Sequence, residues 1–244
     1  MSQPGVFLRA QWRSLVMMNY PIDPAILQPR LPRGCELDFF DGRTFVSMVG
    51  FRFLDTRVMG CRLPGHTDFD EINLRFYVRH RNAAGEWQRG VVFVREIVPR
   101  RLIAFVARTV YNEPYIALPC RHDVQLAEGN TPGYAEYAWQ FAGRWNRLRA
   151  TFAGEPAIPP MDAEETFITE HYWGYNAQRN GGTKEYQVEH PRWPVWNATT
   201  TELDCDIAAL YGAEYVPVLT QTPSSAFIAV GSEICVRQGT TLKV

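Results

Sequence analysis

A short segment of the sequence, EINLRFYVR at residues 71–79, has the residue types needed for acid–base chemistry. Apolar and polar residues alternate along it, which predicts a β-strand with one apolar and one polar face. The polar face would hold Glu71, Asn73, Arg75, Tyr77 and Arg79. A guanidinium there could bind a carboxylate through paired hydrogen bonds, and a neighbouring carboxylate could move a proton. The same face could instead be the solvated side of an antiparallel sheet.

A second group of polar residues follows a predicted helix, which Pro114 prevents from continuing. The group contains an arginine, two tyrosines and an acid: Arg108, Tyr111, Glu113 and Tyr115. We take Arg108 and Tyr111 as candidate ligand contacts and Tyr115 as a candidate catalytic residue. The alternative is structural, because a cation is favoured at a helix C-terminus and tyrosines often serve in packing.

Two aromatic segments each contain a histidine. They are EHYWGY at residues 170–175 and EHPRWPVW at residues 189–196. Ligand pockets typically have apolar walls with a few polar groups, which makes His171, His190 and Trp193 candidate ligand-binding residues. The segments could equally form a dense corner of the core in which both histidines have hydrogen-bond partners.

Several kinds of site are not indicated. The sequence has no Gly-rich phosphate loop, no nucleotide fingerprint and none of the usual His or Cys spacings of metal sites, so we expect neither cofactor nor metal. His66, His171 and His190 would meet at a metal only through the tertiary fold. The net charge of -1 gives no reason to expect nucleic acid as a partner. Lys184 and Lys243 are the only lysines, which restricts amine chemistry to two side chains.

The composition favours a cytoplasmic protein. The N-terminal residues MSQPGVFLRAQWR contain no apolar signal segment, and no apolar run approaches the roughly 20 residues that cross a bilayer. The five cysteines include no C-x-x-C pair, which suggests reduced thiols. Unpaired sheet edges and an aromatic C-terminal half are compatible with a homo-oligomer.

The predicted elements are mostly strands, and no linker divides the chain, so we expect one domain over residues 1–244. Asp41 and Gly42 predict a hairpin turn between residues 37–40 and the next strand. Strands joined by hairpins, with few helices, predict an α+β fold built on a largely antiparallel sheet or barrel. Strands are predicted at residues 12–20, 43–53, 71–79, 91–98, 134–141, 145–152, 185–188 and 226–237, and helices after Asp23-Pro24, from Pro99 and over residues 162–171.

Several motifs occur in an order found in a known family. They are Trp12, NYPIDP at 19–24, LPRG at 31–34, Leu37-Asp38, Asp41-Gly42, EINLRFYV at 71–78 and GVVF at 90–93. This pattern resembles the YqjF-like family, a domain of unknown function in the acetoacetate decarboxylase-like superfamily. The resemblance is strongest over residues 12–115, and the E-x-N-x-R-x-Y-V strand is its most specific part.

The resemblance implies an acetoacetate decarboxylase-like fold, a cone-shaped, largely antiparallel β-barrel with outer helices and a central cavity. In the decarboxylase, a cavity lysine forms a Schiff base with a β-keto acid, and a second lysine lowers the pKa of the first. By order along the chain, the decarboxylase's arginine and catalytic-site glutamate correspond to Arg13 and Glu71. The lysine position, after Pro114, holds Tyr115, and a second cavity glutamate falls near Met48.

Three functions are compatible with these residues, and Schiff-base decarboxylation is not among them. The leading hypothesis is a small-molecule-binding protein that keeps the cavity without chemistry. The alternative is an enzyme acting on a small keto, hydroxy or lactone acid. In it, Arg13 or Arg75 would hold a carboxylate, Glu71 would move a proton and Tyr115 would stabilise an oxyanion. The third is a structural or assembly protein with a buried ion pair between Glu71 and Arg75.

Overall fold

The computed structural model describes residues 4–129 and 131–242, in which strands predominate. The strands are β1 (Val6–Ile22), β2 (Cys35–Leu37), β3 (Thr44–Val58), β4 (Phe69–Arg81), β5 (Trp87–Val98), β6 (Tyr115–Ala117), β7 (Cys120–Gln125), β8 (Gly133–Phe141), β9 (Arg144–Phe152), β10 (Trp173–Ala177), β11 (Thr183–Glu189), β12 (Val195–Asp204), β13 (Ser225–Arg237) and β14 (Thr240–Thr241). The helices are α1 (Pro24–Leu27), α2 (Arg101–Val106), α3 (Glu164–Thr169), α4 (Ile207–Leu210) and α5 (Val216–Leu219), with 3₁₀ turns at Gln28–Arg30 and Ala213–Tyr215 and a π-helical turn at Ala107–Tyr111. In the described residues, no helix is both long and apolar enough to cross a bilayer.

Seven strands of the sheet form a closed ring. The pairing runs β11–β10–β5–β4–β3–β1–β13, and a short pairing of β13 with β11 completes it. Most neighbours are antiparallel, but β6 and β10 run parallel to β5, so the sheet is mixed. A second antiparallel group, β12–β9–β8–β7, extends from β13. The ring encloses the space in which side chains of several strands meet.

Both faces of β4 are buried, for different reasons. Ile72, Leu74 and Phe76 lie in the main hydrophobic core. Glu71 and Asn73, on the opposite face, are only 3% and 2% exposed and line a cavity. The solvated strand face considered from the sequence is therefore wrong for these two residues.

Turn chemistry sets several element boundaries. The Asp23 carboxylate caps α1 by accepting a hydrogen bond from the Ala25 amide at 2.8 Å. Asp41 and Gly42 have φ values of 48° and 74°, as a tight turn of this kind requires. The hairpin expected around them is minimal, because β2 pairs with β4 and a single bridge between Phe40 and Arg43 flanks the turn.

The helix predicted from Pro99 forms as α2 and its π-helical extension. Its apolar residues do not all enter the core, because Phe105 is 64% exposed and Leu102 is 48% exposed. Leu102 and Val106 also border the cavity. The helix is therefore part of the cavity wall at a point where that wall meets solvent.

A bulge in β1 changes which of its residues face inward. Ser14 has a φ of 56°, and the pairing of β1 with β3 shifts register between Arg13 and Val16. Trp12 before the bulge and Leu15 after it both line the cavity, although strict alternation would place them on opposite faces. The bulge therefore keeps two large apolar side chains of one strand in the cavity wall.

Candidate functional site

A cavity of about 310 Å³ lies within the ring of strands. Its size suits a small organic molecule. Residues of β1, β3, β4, β5, β11, β13 and α2 contribute to its wall. Much of the wall is aromatic, from Trp12, Phe51, Phe53, Phe69, Phe93, Trp173 and Trp193. The polar groups are few and are concentrated around β4, so a ligand would meet them at one part of an otherwise apolar surface.

Glu71 is the acid–base group whose contacts are most completely defined. Its Oε1 accepts a hydrogen bond from Asn73 Nδ2 at 3.0 Å, and its Oε2 accepts one from the Tyr115 hydroxyl at 2.8 Å. Burial raises the pKa of Glu71 to about 7, although these two hydrogen bonds oppose the rise. The carboxyl therefore populates both protonation states near neutral pH, as a proton-transfer group should.

Two further glutamates, Glu96 and Glu113, lie in the wall beside Glu71. Burial raises the pKa of both, and the charges of Glu113 and Glu71 raise that of Glu96 further. The carboxyl groups of Glu96 and Glu113 hydrogen bond to each other, which requires a proton on one of them. Tyr186 donates its hydroxyl to Glu113 Oε1 at 2.9 Å. The cluster therefore retains an exchangeable proton at neutral pH.

Arg75 brings a positive charge to the same part of the wall. Its Nη2 donates to the Ile168 carbonyl at 3.4 Å and to Met17 Sδ at 3.8 Å, and its buried Nε has no partner. Among the residues that the structure describes, no carboxylate forms an ion pair with Arg75. The Glu71–Arg75 ion pair of the structural alternative is therefore not formed, and Arg75 brings to the cavity wall a guanidinium without a carboxylate partner among the described residues.

His171 is held by an aspartate. Its Nε2 lies 3.0 Å from Asp38 Oδ2, which also accepts a hydrogen bond from Arg89 Nε at 2.7 Å. Burial lowers the pKa of His171 to about 4, so the ring is neutral and donates its Nε2 hydrogen to the carboxylate. Burial opposes ionisation of Asp38, but the hydrogen bonds from His171 and Arg89 still bring its pKa below the ordinary value.

Six of the nine predicted site residues line the cavity: Glu71, Arg75, Tyr115, His171, His190 and Trp193. Arg13 does not lie in the wall. Its Nη1 donates to the Gly231 carbonyl at 2.9 Å, while its neighbour Trp12 takes the cavity-facing position. Arg13 is therefore not a ligand contact in this cavity, because neighbours on a strand face opposite sides and Trp12 faces inward.

The other two predicted residues lie elsewhere or are not described. Arg108 is exposed and borders a second pocket together with Arg95 and Arg179. Tyr111 belongs to the π-helical turn, and its side chain lies outside the described part of the chain.

The described part of the cavity wall contains no lysine. Tyr115, which the family resemblance matches to the decarboxylase lysine, lines the cavity. Lys184 lies in β11 but is not a wall residue, and Lys243 falls outside the described residues. Met48, matched to a second cavity glutamate, is fully buried in the core, and its neighbour Val49 faces the cavity.

Glu96 and Tyr186 were not selected from the sequence. The pairing of β4 with β5 shifts register between Leu74 and Arg75, so Phe93 and Glu96 both line the cavity. Strict alternation would have placed Glu96 on the other face. Tyr186 and Val188 lie two residues apart on the same face of β11, and both line the cavity. This spacing was the signal in the sequence that could have identified Tyr186.

Comparison with known proteins shows which sequences and structures this chain resembles. The uncharacterized protein YqjF of Bacillus subtilis (strain 168) is 28% identical over 198 residues, which cover 78% of this chain and 76% of that protein. The enduracididine biosynthesis enzyme MppR, solved in complex with pyruvate, superposes with a TM-score of 0.71 at 14% identity, covering 100% of this chain and 92% of its own. The acetoacetate decarboxylase of Legionella pneumophila gives 0.65 at 16% identity, covering 100% and 90%.

The two solved structures show the fold alone at these identities, and that fold is acetoacetate decarboxylase-like. The sequence relationship is more specific. The family DUF2071, described as an uncharacterized conserved protein, matches residues 9–233, which is most of the chain. The protein therefore belongs to the DUF2071 family, and its fold is acetoacetate decarboxylase-like.

Proposed function

We propose that this protein binds a small carboxylic acid in its cavity and transfers a proton to or from it without a covalent intermediate. The observation that carries the proposal is the position of Arg75, a wall residue that lacks a carboxylate partner among the described residues and lies four positions after Glu71 on the same strand. Guanidinium groups bind carboxylates through paired, charge-assisted hydrogen bonds. The carboxylate would sit on Arg75 and the rest of the ligand against the aromatic wall.

A small keto acid fits these groups best. Its carboxylate would satisfy Arg75, and its carbonyl oxygen would receive a proton from Glu71. The Tyr115 hydroxyl and the Asn73 amide hold the Glu71 carboxyl in place, and the Glu96–Glu113 pair can return a proton to it. The complex of MppR with pyruvate supports keto acids as the first compounds to test.

Schiff-base chemistry is not part of the proposal. A phenol such as that of Tyr115 cannot condense with a ketone, so it cannot replace the amine that the decarboxylase uses. Borohydride added with acetoacetate should therefore leave the mass of the protein unchanged. A covalent adduct on a defined residue would show that an amine does react in the cavity.

Binding is tested by titrating pyruvate and other small keto acids into the wild-type protein and the Arg75→Met variant. Loss of charge-assisted hydrogen bonds should weaken binding about 10- to 100-fold. Arg79→Met is the matched control, because Arg79 lies on the same strand but pairs with Glu36 instead of lining the cavity. Equal affinities of the two variants for every acid would contradict the proposed anchor.

A second candidate function is binding without turnover, which the largely aromatic wall favours because such a surface needs no chemistry to hold a ligand. Glu71→Gln separates the two candidates. It should abolish proton transfer and preserve binding if the protein is an enzyme. If the protein only binds, the wild type should itself catalyse no exchange of ligand protons with solvent.

A further inference from the structure

Of the three histidines that line the cavity, His66, His171 and His190, the last two differ in whether a ligand could reach their unprotonated nitrogen. The ring of His171 packs against Tyr77 at 4.7 Å and Phe167 at 5.0 Å between centroids. Its side chain is 1% exposed, and its Nδ1 is buried without a partner. With Nε2 bound to Asp38, this imidazole stabilises the wall and has no accessible basic atom.

His190 is held in a different way. Its ring stacks on Trp193 with 4.0 Å between centroids and an angle of 17°, and it packs against Tyr172 at 4.7 Å. Its Nδ1 lies 2.9 Å from the Pro191 carbonyl oxygen. Because a carbonyl oxygen only accepts, Nδ1 carries the hydrogen and Nε2 is left with a lone pair. Burial also lowers the pKa of His190, which favours this neutral form.

The half-buried ring of His190 belongs to the cavity wall, as Glu71 and Arg75 do. The charge of Arg75 acts on the ionisation of both Glu71 and His190. A carboxylate bound to Arg75 would therefore lie within electrostatic range of both groups. An acid and a base in the same cavity wall as one anchor are what a proton shift along a keto acid requires.

We propose that His190 is the catalytic base of this site and that its Nε2 removes a proton from the carbon next to the carbonyl group of a keto acid held by Arg75. The electron pair of the broken C–H bond becomes the C=C bond of an enol, and the carbonyl oxygen takes a proton from Glu71. His190 is then cationic and Glu71 anionic, and the reverse step restores both. This inference rests on the proposed function, because it needs the same anchor and the same acid.

The test is deuterium exchange of the C3 protons of pyruvate and 2-oxobutanoate in D2O, followed by proton NMR. The wild type should exchange them faster than buffer, and His190→Gln should reduce that rate about 100-fold or more. The dissociation constant of pyruvate should change less than threefold, because Arg75 is intact. Imidazole added to His190→Ala should restore exchange, which a purely structural role of the ring would not allow.

His80→Gln is the control, because the Nδ1 of His80 also contacts a backbone carbonyl, that of Gly34 at 2.7 Å, but the ring is not part of the cavity wall. Its exchange rate should equal that of the wild type. If His190→Gln, folded by its thermal transition, exchanges as fast as the wild type while Glu71→Gln does not exchange, His190 is not the base and the proposed function stands. If the wild type binds pyruvate and 2-oxobutanoate but exchanges neither, the proposed proton transfer fails and the role of His190 fails with it.

Discussion

The cavity holds more carboxyl groups than it can ionise. Glu71, Glu96 and Glu113 are all buried, and Arg75 is the cation that acts on Glu71. Removing several like charges from water without partners is costly, so the protein retains protons on part of the cluster instead. At the scale of the residue, this means that the charge of the site changes with pH in the range where most enzymes work.

The raised pKa of Glu71 has a consequence for stability that Glu71→Gln can isolate. The folded protein holds this proton up to about pH 7, whereas an unfolded glutamate loses it near its ordinary pKa of 4.5. The folded state therefore binds more protons in this interval, and the free energy of unfolding falls as pH rises through it. Relative to Glu71→Gln, the wild type should lose up to about 1.4 kcal/mol per pH unit.

Urea unfolding at several pH values from 4 to 8 would measure this difference. The variant Glu233→Gln, which removes an exposed carboxylate paired with Arg9, serves as the comparison. If the curves of the two variants have the same shape relative to the wild type, Glu71 is ionised in the folded protein throughout this range and cannot act as the proposed acid.

At the scale of the element, glycines allow strands to approach closely enough to place the carboxyl cluster. A Cβ at Gly174 in β10 would lie 2.2 Å from the ring of Tyr186, whose hydroxyl donates to Glu113. A Cβ at Gly90 in β5 would lie 2.5 Å from the Trp173 carbonyl oxygen. The parallel pairing of β5 with β10 and the position of Tyr186 therefore depend on the absence of side chains at these two positions.

Gly174→Ala should destabilise the protein by about 1–3 kcal/mol, because the added methyl group must displace the Tyr186 ring. The displacement would remove the hydrogen bond that the Tyr186 hydroxyl donates to Glu113 Oε1. Gly182→Ala is the matched control, since its Cβ would meet only the Asn180 side chain, at 3.2 Å. Equal unfolding midpoints for the two variants in urea would show that the β10–β11 hairpin moves freely to accept the methyl group.

The sequence predicts well those elements whose signal is local. The alternation of residues 71–79 locates β4, and the Asp23 cap and the Asp41-Gly42 pair locate a helix start and a turn. β10 and β12 were not predicted as strands, because the aromatic residues around Trp173 and Trp196 resemble a pocket wall as much as a strand. The parallel pairing of β10 with β5 joins segments far apart in the chain, and no local pattern encodes it.

The residues of the candidate site likewise divide into those that a local pattern predicts and those that it does not. Glu71 and Arg75 follow from alternation within one strand, and whether they face solvent or a cavity depends on the closure of the sheet. Arg13 was predicted as a site residue although its neighbour Trp12 is the one that faces the cavity. Glu96 was missed because a β-bulge in β5 changes which residues of that strand face the cavity. The cone shape implied by the family resemblance stays a prediction.

At the scale of the whole molecule, the ring of strands is closed by a junction of only two residue pairs. β1 and β3 pair along most of their length, whereas β11 and β13 meet only at Val188–Val236 and Glu189–Cys235. An ion pair between Arg237 and Glu189 at 2.5 Å adds to this junction. Val188 and Val236 also line the cavity, so the junction is both a closure of the sheet and part of the ligand site.

Local opening follows the least-bonded parts of a fold, so the β11–β13 junction should open before the long pairings of β1 with β3 and β13. Amide hydrogen exchange over residues 186–190 should be about tenfold or more faster than over residues 15–21 in β1. Pyruvate at a hundred times its dissociation constant should slow exchange at the junction, because the ligand contacts wall residues that separate on opening. In Arg75→Met, the same concentration should have no effect. Equal exchange in the two segments, or equal slowing by pyruvate in both proteins, would place the opening and the ligand elsewhere in the molecule.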